Sequence, residues 1–270
     1  MAPVLGSVGA KTLRDYRRSI LWWGLGVVGF VALYAAIYPT VRDLPDIDDL
    51  LDSYPEALRA FIGASGDLDL SSPEGYLQTE AFSFLLPLLF LIFGIGAGAA
   101  AIAGEEEHGT MELLLAQPLS RRRLVLEKVG AVTAALLLLA VALWLALWLG
   151  ALAVDMEIAA GRLATGTVSL VLLALVFTML TLLVGALTGS RGRAIGVAAS
   201  LALAAYVLDS LAVLVEALET VQPLSPFYLY RAAEPLRDGL DPVHALVLLA
   251  LAVCFAALAV PAFERRDARL

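Results

Sequence analysis

The stretch GEEEHGTMELLLAQPLSRRR, Gly104 to Arg123, lies between two long apolar runs and carries the densest charge in the chain. It opens on three carboxylates, Glu105, Glu106 and Glu107, passes through an apolar patch and closes on Arg121, Arg122 and Arg123. Its surroundings decide how it is read. The 270 residues are 60% hydrophobic and 16% charged, with a mean hydropathy of +0.86. Soluble domains lie nearer about 45–50% apolar and about 25% charged, so composition points to an integral membrane protein with room for one membrane domain, residues 1–270.

A bilayer is crossed by about 20 predominantly apolar residues in a helix. Working outward from the charged stretch, six segments qualify: 19–38, 81–103, 129–154, 167–187, 194–215 and 243–262. The first is too long for the apolar core of a signal peptide and has Trp22 and Trp23 at its start, so it reads as a retained span. The expected fold class is an all-α membrane protein of six transmembrane helices. Thirteen of the 18 basic residues fall on one side: Lys11, Arg14, Arg17 and Arg18; Arg121, Arg122, Arg123 and Lys128; Arg191 and Arg193; Arg265, Arg266 and Arg269. By the positive-inside rule that side is cytoplasmic and holds both termini, which predicts a multi-pass protein of the plasma membrane. The charged stretch then belongs to a cytoplasmic loop, 104–128.

Within that loop Gly109 breaks the descent of the second span, and Thr110 can cap a short new helix with Glu112 in its first turn. Met111, Leu114 and Leu115 share a face, Gln117-Pro118 ends the helix, and Ser120 can cap the next. From Arg121 to Val154 the pattern spans about 50 Å at 1.5 Å per residue. The hydrocarbon core is only about 30 Å thick, so the third span is expected to begin well outside it. An apolar face on a short helix off the membrane needs a cover. Packing on its own bundle and docking to a soluble partner both answer that need.

Other segments are less specific. In residues 1–18, KTLRDYRRSI sets Leu13, Tyr16 and Ile20 at helical spacing against Lys11, Arg14, Arg17 and Arg18, as in an amphipathic interfacial helix before the first span turns inward. The outer segment 39–80 contains a helical pattern, DIDDLLDSYPEALRAFIG. The outer segment 218–242 suits short re-entrant pieces. Gly94, Gly96 and Gly98 allow close helix–helix approach. Asp209 is the one ionisable residue well inside a span, which marks either a substrate path or gate, or a wet interface shared with Glu216 and Glu219. His108 and His244 lie on opposite sides, Cys254 is the lone cysteine, and GSVGAKT (6–12) lacks the glycine before the lysine of a phosphate loop. No catalytic, metal-binding or cofactor-binding constellation is expected, and the net charge of −8 argues against nucleic acid as a partner.

GEEEHGTMELLLAQPLSRRRLVLEK resembles the signature loop of ABC-2 type ATP-binding-cassette transporter permeases, approximately EEE-x-GT-x-E-LLL-x-x-P-[VL]-S-R. SSPEGYLQTEAFSFLLPLL (71–89), LSPFYLY (224–230) and PAFERRD (261–267) follow the same family in order. His108 and Leu119 stand where a basic residue and valine are common. The resemblance implies a permease; with no phosphate loop in the sequence, ATP is expected to be handled by another polypeptide, and with no substrate-capture module in it, export is the expected direction. It implies two copies of a separate ATPase subunit that bind ATP and magnesium, a second permease copy (identical or related), and membrane lipid as neighbours. It implies that Glu105, Glu106, Glu107, Gly109, Thr110, Met111, Glu112, Leu113 and Leu114 form a coupling helix seated on the ATPase. A membrane scaffold or sensor that docks an ATPase without transport is the alternative. An intramembrane protease fits less well, because its motif would need an arginine where Thr110 and Met111 stand.

Overall fold

The computed structural model describes residues 8–42, 72–111, 120–212, 215–231 and 234–266, and every regular element among them is helical. Six helices are long and apolar enough to cross a membrane: Val8–Arg42, Leu85–Glu107, Arg121–Ala153, Ala160–Thr188, Arg191–Ala212 and Pro242–Arg265, here spans one to six. The helical pattern in 43–71, residues 112–119 of the charged loop and the terminal residues 1–7 and 267–270 lie outside the described residues.

Span boundaries follow local chemistry more closely than hydropathy. The expected interfacial helix is not a separate element: Val8–Arg42 is one continuous 35-residue helix. Nothing between Arg18 and Ser19 breaks a helix, and the apolar face carries straight through, with Leu13, Tyr16 and Ile20 packed on the core. Before span two, Ser72 caps a short helix, Pro73–Leu77, by accepting from Gly75 N at 3.1 Å, with Pro73 in its first turn. A wider turn, Gln78–Phe82, follows. Phe84 then leaves helical geometry (φ −138°, ψ −53°), so span two starts at Leu85 instead of 81. Span four starts at Ala160, seven residues before its apolar run, because Gly161, Arg162 and Thr165 are polar or small without being helix-breaking. Ser120 accepts from Arg123 N at 3.2 Å and opens the 33-residue span three, while Asp241 accepts from Val243 N and His244 N to open span six.

Span four is the axis of the bundle. Some 72% of its apolar window is buried, against 17% for span one, and it packs on spans two, three, five and six. Span one is peripheral and lies along span three. Two of the three singled-out glycines set the crossing of spans two and four. A side chain at Gly94 would overlap the Thr178 hydroxyl, and one at Gly98 would come within 2.5 Å of the Thr178 carbonyl oxygen. Small residues one turn apart let the backbones approach this closely. Thr178 and Thr181 return their hydroxyl protons to Ala174 O (2.7 Å) and Phe177 O (2.6 Å), so neither is an unsatisfied donor in the apolar interior. Gly96 faces the other way, with no atom within 4 Å of where a methyl group would sit, and takes no part in the crossing.

Candidate functional site

The ends of the bundle differ in charge. At the basic end, where Arg14, Arg17, Arg18, Arg121, Arg122, Arg123, Arg191 and Arg193 gather, span two passes through a wide turn, Ala100–Gly104, and one last α-turn, Glu105–Glu107. Its termination is a Schellman motif: Gly109 N donates to Glu106 O at 3.1 Å and Thr110 N to Glu105 O at 2.9 Å. Gly109 supplies the required left-handed residue at φ +68°. The chain is thereby reversed just beyond the carboxylates, as the sequence predicts from Gly109.

Each of the three carboxylates meets a different part of the chain. Glu105 accepts from Lys128 Nζ of span three at 2.5 Å and from the Thr110 hydroxyl. Glu106 pairs with Arg266, just past span six. Glu107 accepts from Arg191 N at 2.8 Å, at the first residue of span five. The helix dipole and the open amide there favour a negative charge. Arg121 of span three closes the circle by donating to Arg266 O at 2.6 Å, with its guanidinium 5.7 Å from the Phe263 ring. Gly189 (φ +60°), between spans four and five, lies against the Glu106–Arg266 pair so closely that any side chain there would overlap both. One tripeptide therefore gathers the ends of spans two, three, five and six, with the span four terminus alongside.

Burial within this hub is uneven. Lys128 is 2% exposed, so its charge depends on Glu105. Glu106 Oε2 and Arg266 Nε are buried with no hydrogen-bond partner, so their ion pair is made through one oxygen only. Glu107, His108 and Gly109 are exposed. Met111 is 2% exposed and packs among Val8, Ile102, Leu124, Val125 and Phe263. The side chain that sequence reasoning offers to a partner's pocket thus fills an internal one in this chain, since span three and the last turn of span six close over it. Glu112, Leu113 and Leu114 lie outside the described residues. The signals that sequence reading passes over are Lys128, a lone lysine beside a long apolar run, and Arg266, counted only as part of a basic tail.

At the opposite end Asp209 is buried, 2% exposed. Arg231 reaches its Oδ2 at 2.7 Å, and Gln222 donates to its Oδ1 at 3.1 Å. Both come from the segment between spans five and six, whose short helix, Pro226–Arg231, is tied down on every side. Ser225 donates to Ala205 O at 2.8 Å, Tyr230 to Phe82 O at 2.7 Å and Ser169 to Tyr230 O at 3.3 Å. This helix and the Pro73–Phe82 segment form a plug over the end of the bundle opposite the hub. Beside it, spans two and five leave an apolar groove of about 390 Å³ lined by Phe84, Leu88, Ile92, Gly96, Leu203 and Tyr206 among others, the place where Gly96 is used. Sequence reading finds no such pocket, because its residues are ordinary span residues until two helices bring them together.

The sequence model of the family described as ABC-2 family transporter protein matches residues 7–268. The chain belongs to that family. No curated protein matches it. Membership makes it a membrane component of ABC-type transport, in keeping with its six apolar helices, and identifies a multi-pass membrane protein whose family generally works beside an ABC ATPase. Permeases of this family are membrane subunits, generally without catalysis of their own.

Proposed function

We propose that the chain is the permease of an ATP-driven exporter, with the basic end and both termini in the cytoplasm, and that a separate ATPase subunit seats on the corner His108–Gly109 and the loop that follows. Two ATPase copies holding ATP and magnesium, and two permease copies, identical or related, complete the unit. The observation that carries this reading is the carboxylate hub. A push on the exposed corner reaches Glu105, Glu106 and Glu107 within a few residues, and from them spans three, six and five. Docking residues and transmitting residues are then distinct: Glu107, His108, Gly109 and the loop 112–119 touch the ATPase, while Glu105, Glu106, Thr110 and Met111 pass the displacement inward. A rigid hub suits this task better than a flexible loop, because packed interfaces switch between discrete arrangements instead of deforming smoothly.

The apolar groove between spans two and five supports an apolar or amphipathic cargo taken from the bilayer. Its rim residues Phe84, Leu88, Ile92 and Leu203 are exposed on the same surface as the other lipid-directed side chains.

The test uses the full chain carrying Cys254→Ser and His108→Cys, reconstituted with its companion ATPase. Cross-linking of position 108 to the ATPase, together with ATP-dependent cargo flux, is expected. Labelling of position 108 from the outer side of sealed cells would overturn the orientation. Cross-linking without flux for any cargo class would leave a docking scaffold instead of a permease.

A further inference from the structure

A second hollow lies along the flank of span one, running from Trp22 away from the basic end toward Leu89 near the start of span two, and the hub does not use it. Trp22, Trp23, Gly26, Val27, Phe30 and Leu89 of span two enclose about 370 Å³, within the range of small-molecule sites. Trp23 is held edge-on to Phe93, ring centres 6.0 Å apart, so that wall is fixed. The floor is open because Gly26 has no side chain and nothing lies within 4 Å of where one would begin. Trp22, 73% exposed, stands at the rim.

The charge beside this hollow identifies its occupant. Arg18 precedes Trp22 by one helical turn, roughly 6 Å along the axis, and Arg17 and Arg14 continue toward the helix start. All three are exposed, and among the described residues none makes an ion pair or a hydrogen bond. Asp15 is the one carboxylate on this stretch, a further turn out than Ser19, and Lys11 lies beyond it, half-buried. From the helix start inward the order is therefore unpaired guanidinium, indole, apolar hollow. A glycerophospholipid has the same order: phosphate, polar ester zone, acyl chain. Tryptophan prefers the depth of the ester zone, and arginine pairs with phosphate through its forked donors.

We propose that this groove binds one anionic phospholipid, with its phosphate on Arg17 and Arg18 and the first part of an acyl chain over Gly26. A second copy of the chain fits worse. Two copies related by an axis normal to the membrane would meet at this depth with like charges, arginines 14, 17 and 18 against each other or against Arg191 and Arg193 of span five. The site stands whichever face of the membrane the basic end occupies. Its occupancy needs neither ATP nor a companion subunit, so its failure would leave the permease reading intact, and the reverse holds too.

The experiment uses the full chain with Trp144→Phe and Trp148→Phe, in vesicles containing bromine-labelled phosphatidylglycerol or bromine-labelled phosphatidylcholine. Quenching of Trp22 and Trp23 should reach half its maximum at a roughly fivefold lower fraction of the anionic lipid for each arginine engaged. Arg17→Gln/Arg18→Gln should erase that preference while leaving quenching by phosphatidylcholine unchanged. Gly26→Leu, whose Cβ would meet no atom within 4 Å, should reduce quenching by both lipids through filling the hollow. Equal quenching by the two lipids in the starting chain would overturn the proposal in favour of ordinary boundary lipid. Weak quenching by both, with a Trp22→Cys variant cross-linking between copies, would overturn it in favour of a chain–chain contact.

Discussion

Two carboxylate sites, one at each end of the bundle, solve the same problem in opposite ways. Both tie carboxylates to other parts of the chain: Asp209, Glu105 and Glu106 are shielded and paired with an arginine or lysine side chain, while the exposed Glu107 takes a backbone amide. At the end away from the basic cluster a single group, Asp209, takes both its partners from one neighbouring segment: Gln222 and Arg231 follow it closely in the chain. At the basic end three successive groups each take a partner from a distant place. Glu105 reaches Lys128 in span three, Glu106 reaches Arg266 past span six, and Glu107 reaches the first amide of span five. A clamp of the first kind fixes a local plug to one helix. A hub of the second kind ties several helices to the loop that carries it. Their sequences already differ in this respect, one aspartate in an apolar run against a charged tripeptide beside a glycine.

The largest expected effect is at the clamp. Arg231→Met leaves Asp209 buried and charged beside a lone glutamine, and breaking a buried pair from one side costs roughly 3 kcal/mol. Asp209→Asn combined with Arg231→Met should recover most of that loss, since both charges then go together. Thermal unfolding of the purified full chain in one detergent checks this. If the double variant were no more stable than Arg231→Met alone, Asp209 would not be clamped and the contrast between the two ends would fail. Next in size is the crossing that holds the two ends in register. Gly98→Ala drives a methyl against the span four backbone and should cost about 2 kcal/mol, as overpacking does. Gly96→Ala, two residues away, enters open space and should leave unfolding unchanged. Equal effects at the two glycines would mean that the close crossing of spans two and four is not what positions them.

Much of this contrast is legible in the sequence, and the part that is not has a physical cause. The six spans, the turn at Gly109 and the cap at Ser120 are local matters, written in composition, a required φ and a side-chain acceptor. The continuity of span one escapes a hydropathy scale because basic residues look like an interface there, while a helix only asks that nothing break it. The partners of Glu105, Glu106 and Asp209 escape it for a different reason. Charge in a sequence carries no address, and Lys128, Arg266 and Arg231 become partners only after the bundle closes. Met111 shows the same limit: an apolar residue on an apparently exposed helix suggests another protein's pocket, when its own chain covers it. Gly96 cannot be told from Gly94 and Gly98 by residue type, since only the facing helix distinguishes them.

Within the hub the carboxylates themselves fall into an order. Glu106→Gln keeps an acceptor for Arg266 but removes the charge, so stability should fall by about 1 kcal/mol. ATP-driven transport should fall much further, because the link to the end of span six is weakened. Glu107→Gln, at an exposed position facing a helix start, should change stability by only about 0.5 kcal/mol. A transport defect as large at Glu107 as at Glu106, at equal stability, would put the transmission through span five instead. Parallel unfolding and proteoliposome assays separate the two.

The smallest effect concerns a carboxylate outside both sites. Asp241 stands half-exposed at the start of span six and accepts from the amides of His244 and Val243 at 3.0 and 2.7 Å. Those two bonds, with the His244 amide the larger influence, hold its pKa below the ordinary carboxylate value. Because the folded pKa is the lower one, this contribution to stability is complete above the unfolded value of about 3.9 and is lost as pH falls through the folded value. Asp241→Asn keeps the capping acceptor and removes the titration. Unfolding of this variant should therefore match the parent near neutrality and decline less steeply below about pH 4. An unchanged acid limb would show that the start of span six is held by the plug and the neighbouring spans, with the cap contributing no measurable pH dependence.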